Sequence, residues 1–147
     1  MDHQPIKILL VEDNEDDIFT IRKAFEAAKL LNVVSVVKDG EEALAYLRRQ
    51  GQYHDAECPG LLLLDIRMPK KDGFEVLKEI KGDPALKSLP VIVLTTSKQE
   101  EDVVKSYAGG ACSFITKPVG FEQFQKMVVQ FELYWALVSR VPEAKHR

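Results

Sequence analysis

Residues 59–69 read Pro-Gly-Leu-Leu-Leu-Leu-Asp-Ile-Arg-Met-Pro, and Leu61 to Leu64 carry the strongest signal of fold class in the chain. A run this short, held between Pro59-Gly60 and Pro69, lacks the length of a helix and is read as a strand. It is apolar at every position, with none of the alternation that a half-solvated strand shows. Both of its faces are therefore buried, as in a parallel sheet covered by helices. Asp65 stands at the C-terminal end of this strand.

The same pattern continues outward in both directions. Ile6 to Val11 is apolar at nearly every position and is predicted as the first strand. Asp16 and Asp17 suit a helix N-terminus, and Ile18, Ile21, Ala24, Phe25 and Ala28 then recur at helical spacing. Val33 to Val37 gives a second strand, Asp39-Gly40 a turn, and Ala43, Leu44 and Leu47 the stripe of a second helix. Gln50 to Gly60 is polar and punctuated by Gly51, Pro59 and Gly60, so it reads as a long exposed loop. Phe74, Val76, Leu77 and Ile80 mark a third helix, closed by Gly82 and Pro84, and Pro90 introduces Val91 to Leu94 as the fourth strand. Val103, Val104 and Tyr107 mark a fourth helix ended by Gly109-Gly110. Ser113 to Thr116 is the fifth strand. A fifth helix runs from near Gly120 or Phe121 to about Ser139, before Pro142 and a charged tail expected to fray.

Strict alternation of strands and helices, with strands apolar throughout, predicts an α/β fold: a parallel sheet with helices on both faces, since each parallel pair needs a crossover. The 147 residues suit one domain, with a core over about 6–137, a C-terminal arm over about 138–147 and no room for an output domain. Apolar residues at 46% and charged residues at 29% are ordinary for a globular chain. A net charge of −3 without a basic block leaves little to neutralise phosphates, which argues against nucleic-acid binding. Met1 to Pro5 and the short apolar run after it form neither a signal peptide nor a membrane span, so a cytoplasmic location is expected. Cys58 and Cys112 lack the spacing of a zinc or redox site, and His3, His54 and His146 are scattered.

Ligands of such sheets bind beyond the C-terminal strand ends. Those ends carry Glu12-Asp13, Asp65, Thr95 and Lys117. Taken singly, Glu12-Asp13 could equally be a helix cap, and each of the others could be incidental; their joint occurrence at four strand ends carries the functional reading. Carboxylates about 4 Å apart repel by roughly 4 kcal/mol per pair at an effective dielectric near 20, so the cluster needs a cation or a proton. Mg2+ suits it best, being a hard ion that takes one or two carboxylates, keeps waters and accepts a phosphate oxygen. Asp65 can then act as a nucleophile toward phosphorus, with the metal, the Lys117 ammonium and the Thr95 hydroxyl each stabilising one phosphoryl oxygen.

The series Val11-Glu12-Asp13, Leu64-Asp65-Ile66-Arg67-Met68-Pro69 with Gly73, Thr95 and Lys117-Pro118 resembles the receiver domain of two-component response regulators over about Ile6 to Leu137. The resemblance implies a flavodoxin-like fold with strand order 2-1-3-4-5. It also implies that Asp65 is phosphorylated, that Asp13 and Asp65 bind Mg2+ directly and Glu12 through water, and that the Arg67 carbonyl is a further ligand. Thr95 becomes a phosphoryl-sensing switch residue with Lys117. Phe114 stands where the family often has tyrosine, so it can change rotamer but has no hydroxyl to hold either position. Arg67 and Ser97 flank the route of attacking water by the same resemblance.

The predicted fifth helix carries more apolar surface than one contact face needs. Phe124, Val128, Phe131, Trp135 and Val138 form a core-facing stripe, while Met127, Leu133, Tyr134 and Leu137 extend it around the helix. A partner, a second copy of the chain, or the helix end folding back would each cover that surface. The loop from Gln50 to Pro59 and this aromatic helix resemble stand-alone receivers paired with phytochrome-type histidine kinases. That resemblance implies a sensor histidine kinase, a bacteriophytochrome among the candidates, as phosphodonor, a homodimer through helices four, five and the C-terminal arm, and a downstream phosphotransfer or effector protein. Two rivals do less well. A receiver-like module that is never phosphorylated would have broken acidic or lysine positions, and all are intact here. A phosphatase using Asp65 would need a nearby general acid, and Arg67 cannot serve as one at neutral pH.

Overall fold

A computed structural model describes residues 7–27, 33–68, 70–100, 113–117, 122 and 126 of the chain. The elements follow in the order β1 (Lys7–Val11), α1 (Glu15–Ala27), β2 (Val33–Val37), α2 (Gly40–Leu47), β3 (Leu61–Asp65), α3 (Gly73–Gly82), β4 (Val91–Thr95) and β5 (Ser113–Thr116). All neighbouring strands pair in parallel, in the order β2-β1-β3-β4-β5. The predicted strands and the first three helices are present. The residues expected for the fourth helix, Val103, Val104 and Tyr107, lie outside the described residues. Of the fifth helix only Glu122 and Lys126 are described, both helical. The expected partner surface of Phe131, Leu133, Tyr134, Trp135 and Leu137 also lies outside them.

The four leucines of β3 explain why this strand is central. Leu62 and Leu64 point into a core cluster with Leu9, Val11, Val93 and the α2 and α3 residues Ala43, Leu44, Leu47, Val76, Leu77 and Ile80. Leu61 and Leu63 point the other way, into a cluster with Ile8, Leu10, Ile92, Leu94, Ile115 and the α1 residues Ile18 and Ile21. Strand side chains alternate between faces, so a strand buried on both must be apolar at every position. Each buried leucine contributes on the order of 1.5–3 kcal/mol relative to an exposed one.

Local signals fix where the helices begin. The Asn14 side-chain oxygen accepts from the Asp17 backbone N–H at 2.9 Å, so Asn14 caps α1 and Glu15, Asp16 and Asp17 fill its first turn. Asp39 caps α2 by accepting from Glu42 N–H at 2.8 Å. At α3, Asp72 and Glu75 form a reciprocal capping box. The segment expected as one exposed loop differs in part. It contains a 3-10 turn over Gly51–Tyr53, Tyr53 tilts against Tyr46 at a ring distance of 5.2 Å, and Pro59 is buried. The apolar body of Tyr53 finds cover beside the core that its polar neighbours do not need.

Gly73 brings α3 up against the end of β3. A β-carbon there would sit 2.5 Å from the Asp65 carbonyl oxygen and 2.6 Å from the Ile66 Cα, both backbone atoms that cannot step aside. A methyl at Gly82, by contrast, would meet nothing within 4 Å. Gly73→Ala is therefore expected to destabilise the chain by about 1–3 kcal/mol. Gly82→Ala should be neutral or slightly stabilising. Chemical denaturation of the two variants checks the contrast, and equal losses would contradict it.

Candidate functional site

Parallel register brings the strand ends to one edge of the sheet. Val11 lies opposite Leu64, so Glu12 and Asp65 emerge side by side from β1 and β3. Two backbone bonds continue the pairing past the strand ends: Glu12 N–H donates to the Val37 carbonyl at 3.0 Å, and Lys117 N–H to the Thr95 carbonyl at 2.6 Å. Side chains that are far apart in the sequence are thus held by backbone geometry and not by flexible loops.

Glu12, Asp13 and Asp65 each present one carboxylate oxygen such that all three atoms lie within 4.8 Å of one another. Glu12 and Asp65 are buried, while Asp13 is exposed. The Lys117 ammonium sits among them, 2.9 Å from Glu12 Oε1, 3.2 Å from Asp65 Oδ1 and 2.9 Å from Asp17 Oδ2. The approach to Glu12 Oε1 is an ion pair without hydrogen-bond geometry, and that buried oxygen has no hydrogen-bond partner among the described residues. Asn14 N–H donates to the other oxygen, Oε2, at 3.2 Å. Arg67 N–H reaches Asp65 Oδ1 at 3.4 Å.

Burial raises the Glu12 carboxyl from its ordinary 4.5 to about 7, with the Asp65 charge adding to the rise and Lys117 opposing it. Burial also raises Asp65, against the pull of the Lys117 charge. For Lys117, burial works against the charge, but its contacts with Glu12 and Asp17 and the Asp65 charge outweigh that and hold the ammonium above its usual range. One ammonium does not balance this many carboxylates. A buried carboxylate oxygen without a hydrogen bond, beside two other carboxylate oxygens, fits a hard divalent cation such as Mg2+.

Of the other expected site residues, Thr95, Phe114 and Arg67 are among those described. Thr95 is fully buried at the end of β4, next to β3, and Phe114 on β5 is half-buried against the core. Arg67 and Asp13 line an open cleft of about 570 Å3 with Met68, Asp72, Phe74 and Glu100. Two further residues belong to the site without standing out as such in the sequence. Asp17 has the position of a helix-start carboxylate, and nothing in the spacing announces its contact with Lys117, 100 residues away. Glu100 binds Arg67, and a signal was present in Ser97-x-x-Glu100, a helix-capping pattern that marks a side chain turned back toward the preceding loop.

Comparison with known proteins places this geometry in context. The family model described as the response regulator receiver domain matches residues 8–129. Response regulator Rcp1 of Synechocystis sp. is 40% identical over 140 residues, 95% of this chain and 95% of its own length. The crystal structure of the phosphorylated cyanobacterial phytochrome response regulator RcpA is 46% identical with a TM-score of 0.75, covering 90% of this chain and 95% of that one. The Mn(2+)-bound form of response regulator Rcp1 is 42% identical with a TM-score of 0.73, covering 89% and 94%.

The raised Glu12 pKa sets a pH dependence. Between pH 4.5 and about 7 the folded chain holds a proton on Glu12 that the unfolded chain has released. Stability from this group is therefore fully present below pH 4.5 and falls as pH rises through about 7 in the absence of metal. Glu12→Gln should flatten that part of the stability profile. The same proton competes with a cation, so calorimetric titration with Mg2+ should show affinity rising as pH increases through about 7. An affinity unchanged across that range would contradict the assignment of Glu12.

Proposed function

The chain belongs to the response regulator receiver domain family, and from that premise we propose that it accepts a phosphoryl group on Asp65 with Mg2+ bound beside it. The observation that carries the reading is the buried Asp65 carboxylate, in contact with Lys117 and grouped with Glu12 and Asp13. An Asp65 oxygen forms the new bond to phosphorus while the bond from phosphorus to the donor's leaving group breaks. From a kinase phosphohistidine that leaving group is the imidazole, which keeps the electron pair and takes a proton. The buried position of Asp65 limits competing water at the reacting atom.

Asp13 and Asp65 would hold Mg2+ directly, Glu12 through water and Arg67 through its carbonyl. When bound, the ion neutralises charge on a phosphoryl oxygen. Lys117 already stands 3.2 Å from Asp65 and would transfer that contact to a phosphoryl oxygen. Thr95, buried at the neighbouring strand end, would turn its hydroxyl to another. Shifting a two-state equilibrium from 1:99 to 99:1 takes about 5.5 kcal/mol. Charge-assisted bonds of this kind contribute about 1.5–3 kcal/mol each, so two or three bring the shift within reach. Phe114, half-buried in the present state, is the side chain whose rotamer would report that shift on the surface.

The chain therefore acts as a signalling protein that promotes only its own phosphorylation and dephosphorylation. Similarity to the cyanobacterial phytochrome response regulator RcpA and, at 40% identity, to the bacteriophytochrome response regulator AtBRR supports a sensor histidine kinase, a bacteriophytochrome in particular, as the donor. The apolar residues Phe131, Leu133, Tyr134, Trp135 and Leu137 support pairing of two copies, with a phosphotransfer or effector protein downstream.

Incubation with Mg2+ and acetyl phosphate is expected to add one phosphoryl group by intact mass. Removal of divalent metal, or Asp65→Asn, should abolish the adduct; its survival in either case would overturn the reading. Trp135→Ala should weaken self-association on a sizing column without lowering phosphoryl incorporation. An unchanged oligomer would favour a helix end folded back on its own domain.

A further inference from the structure

Glu100 makes more contacts across the mouth of the site than a helix cap requires. Its Oε1 accepts from the Thr96 backbone N–H at 2.8 Å and from the Thr96 hydroxyl at 3.2 Å. Its own backbone N–H donates to Ser97 Oγ at 3.2 Å. Its other oxygen accepts from Arg67 Nε at 2.5 Å. Glu100 is buried, which works against its charge, but the Thr96 and Arg67 contacts outweigh burial and hold its carboxyl below the usual range. The two partners differ in freedom. Glu100 is anchored at three points on its own segment, whereas the Arg67 side chain is 70% exposed and bound to a carboxylate at its Nε.

Arg67 is also close to the acceptor. It follows Asp65 by two residues, its N–H reaches Asp65 Oδ1, and it lines the cleft that Asp13 and Glu100 share. A phosphoryl group on Asp65 adds negative charge where the Lys117 ammonium is already divided among Glu12, Asp17 and Asp65. A guanidinium matches phosphoryl oxygens well, offering a planar fork of donors.

We propose that Glu100 is a positioning residue that holds Arg67 away from the acceptor in the resting state, and that Arg67, once released, is a second cation contacting the phosphoryl group on Asp65. This rests on the phosphoacceptor reading above. Thr96 directly follows Thr95 and is bonded twice to Glu100. A movement of Thr95 toward a phosphoryl oxygen therefore shifts the anchor of Glu100 and loosens its grip on Arg67. The Arg67–Glu100 ion pair becomes a contact specific to the resting state.

The test compares labelling rates with acetyl phosphate and Mg2+ for the native chain, Glu100→Gln, Arg67→Met and the double variant. Asp65→Asn serves as the control for the parent reading: if the native chain does not label, that reading fails. If it labels and Asp65→Asn does not, the variants decide this one. Glutamine keeps an oxygen for Thr96 but weakens the hold on Arg67, so Glu100→Gln should label about threefold to tenfold faster. Arg67→Met should label no faster than the native chain, and the double variant should match Arg67→Met. A Glu100→Gln rate at or below the native one, or a gain that persists without Arg67, would overturn the proposal. A second measurement needs no variant of Glu100. The Arg67 Nε–H resonance, identified by its loss in Arg67→Lys, should shift when Mg2+ and beryllium fluoride, a phosphoryl mimic, are added; an unmoved resonance would equally overturn it.

Discussion

Everything at the active edge of this sheet depends on how negative charge is held in a place where water is scarce. Glu12, Asp17 and Asp65 all direct a carboxylate oxygen at the same ammonium, that of Lys117. An isolated buried carboxylate would be strongly disfavoured, and ion pairing makes its burial tolerable. The compensation is incomplete, as the raised Glu12 and Asp65 carboxyls show. A site left short of positive charge in this way is prepared for a divalent cation and for chemistry in which further negative charge arrives. On the proposed phosphoacceptor reading, the imbalance serves the function and is not a defect in packing.

The fold supplies the precision. Because Val11 pairs with Leu64 and Thr95 with Thr116, the polar residues that follow or end these strands reach one edge without long loops. The apolar residues immediately before them are locked into two cores, one on each face of the sheet. Tightening at Gly73, where α3 meets the backbone of Asp65 and Ile66, keeps the strand end that carries Asp65 from drifting. Stability and function meet at this point: the same packing that fills the core sets the distances among the charges.

Much of this is legible in the sequence because strand burial leaves a strong mark. Leu61 to Leu64 are apolar throughout because both faces of β3 are covered, and Asp65 stands out as the first departure from that pattern. Glu12, Asp13, Thr95 and Lys117 stand out in the same way, as polar residues where apolar runs stop. Asp17 is harder to see, since a carboxylate in the first helical turn already has an adequate explanation in the helix dipole. Its contact with Lys117 joins the first turn of α1 to the end of β5, 100 residues away in the sequence. Glu100 is hidden for a related reason: a capping pattern predicts that its side chain turns back, but not that it continues across the cleft to Arg67. The cover over Tyr53 and Pro59 likewise comes from packing that local polarity does not reveal.

The central claim is that Asp65 itself becomes the acyl phosphate. The most direct measurement is borohydride reduction of the phosphorylated chain, which converts an aspartyl phosphate to homoserine, followed by peptide mass mapping. The account predicts homoserine at position 65, none at Asp13 or Asp17, and no reduction of Glu12 to hydroxynorvaline. Modification at one of those neighbours with position 65 untouched, or no reducible acyl phosphate at all, would contradict it.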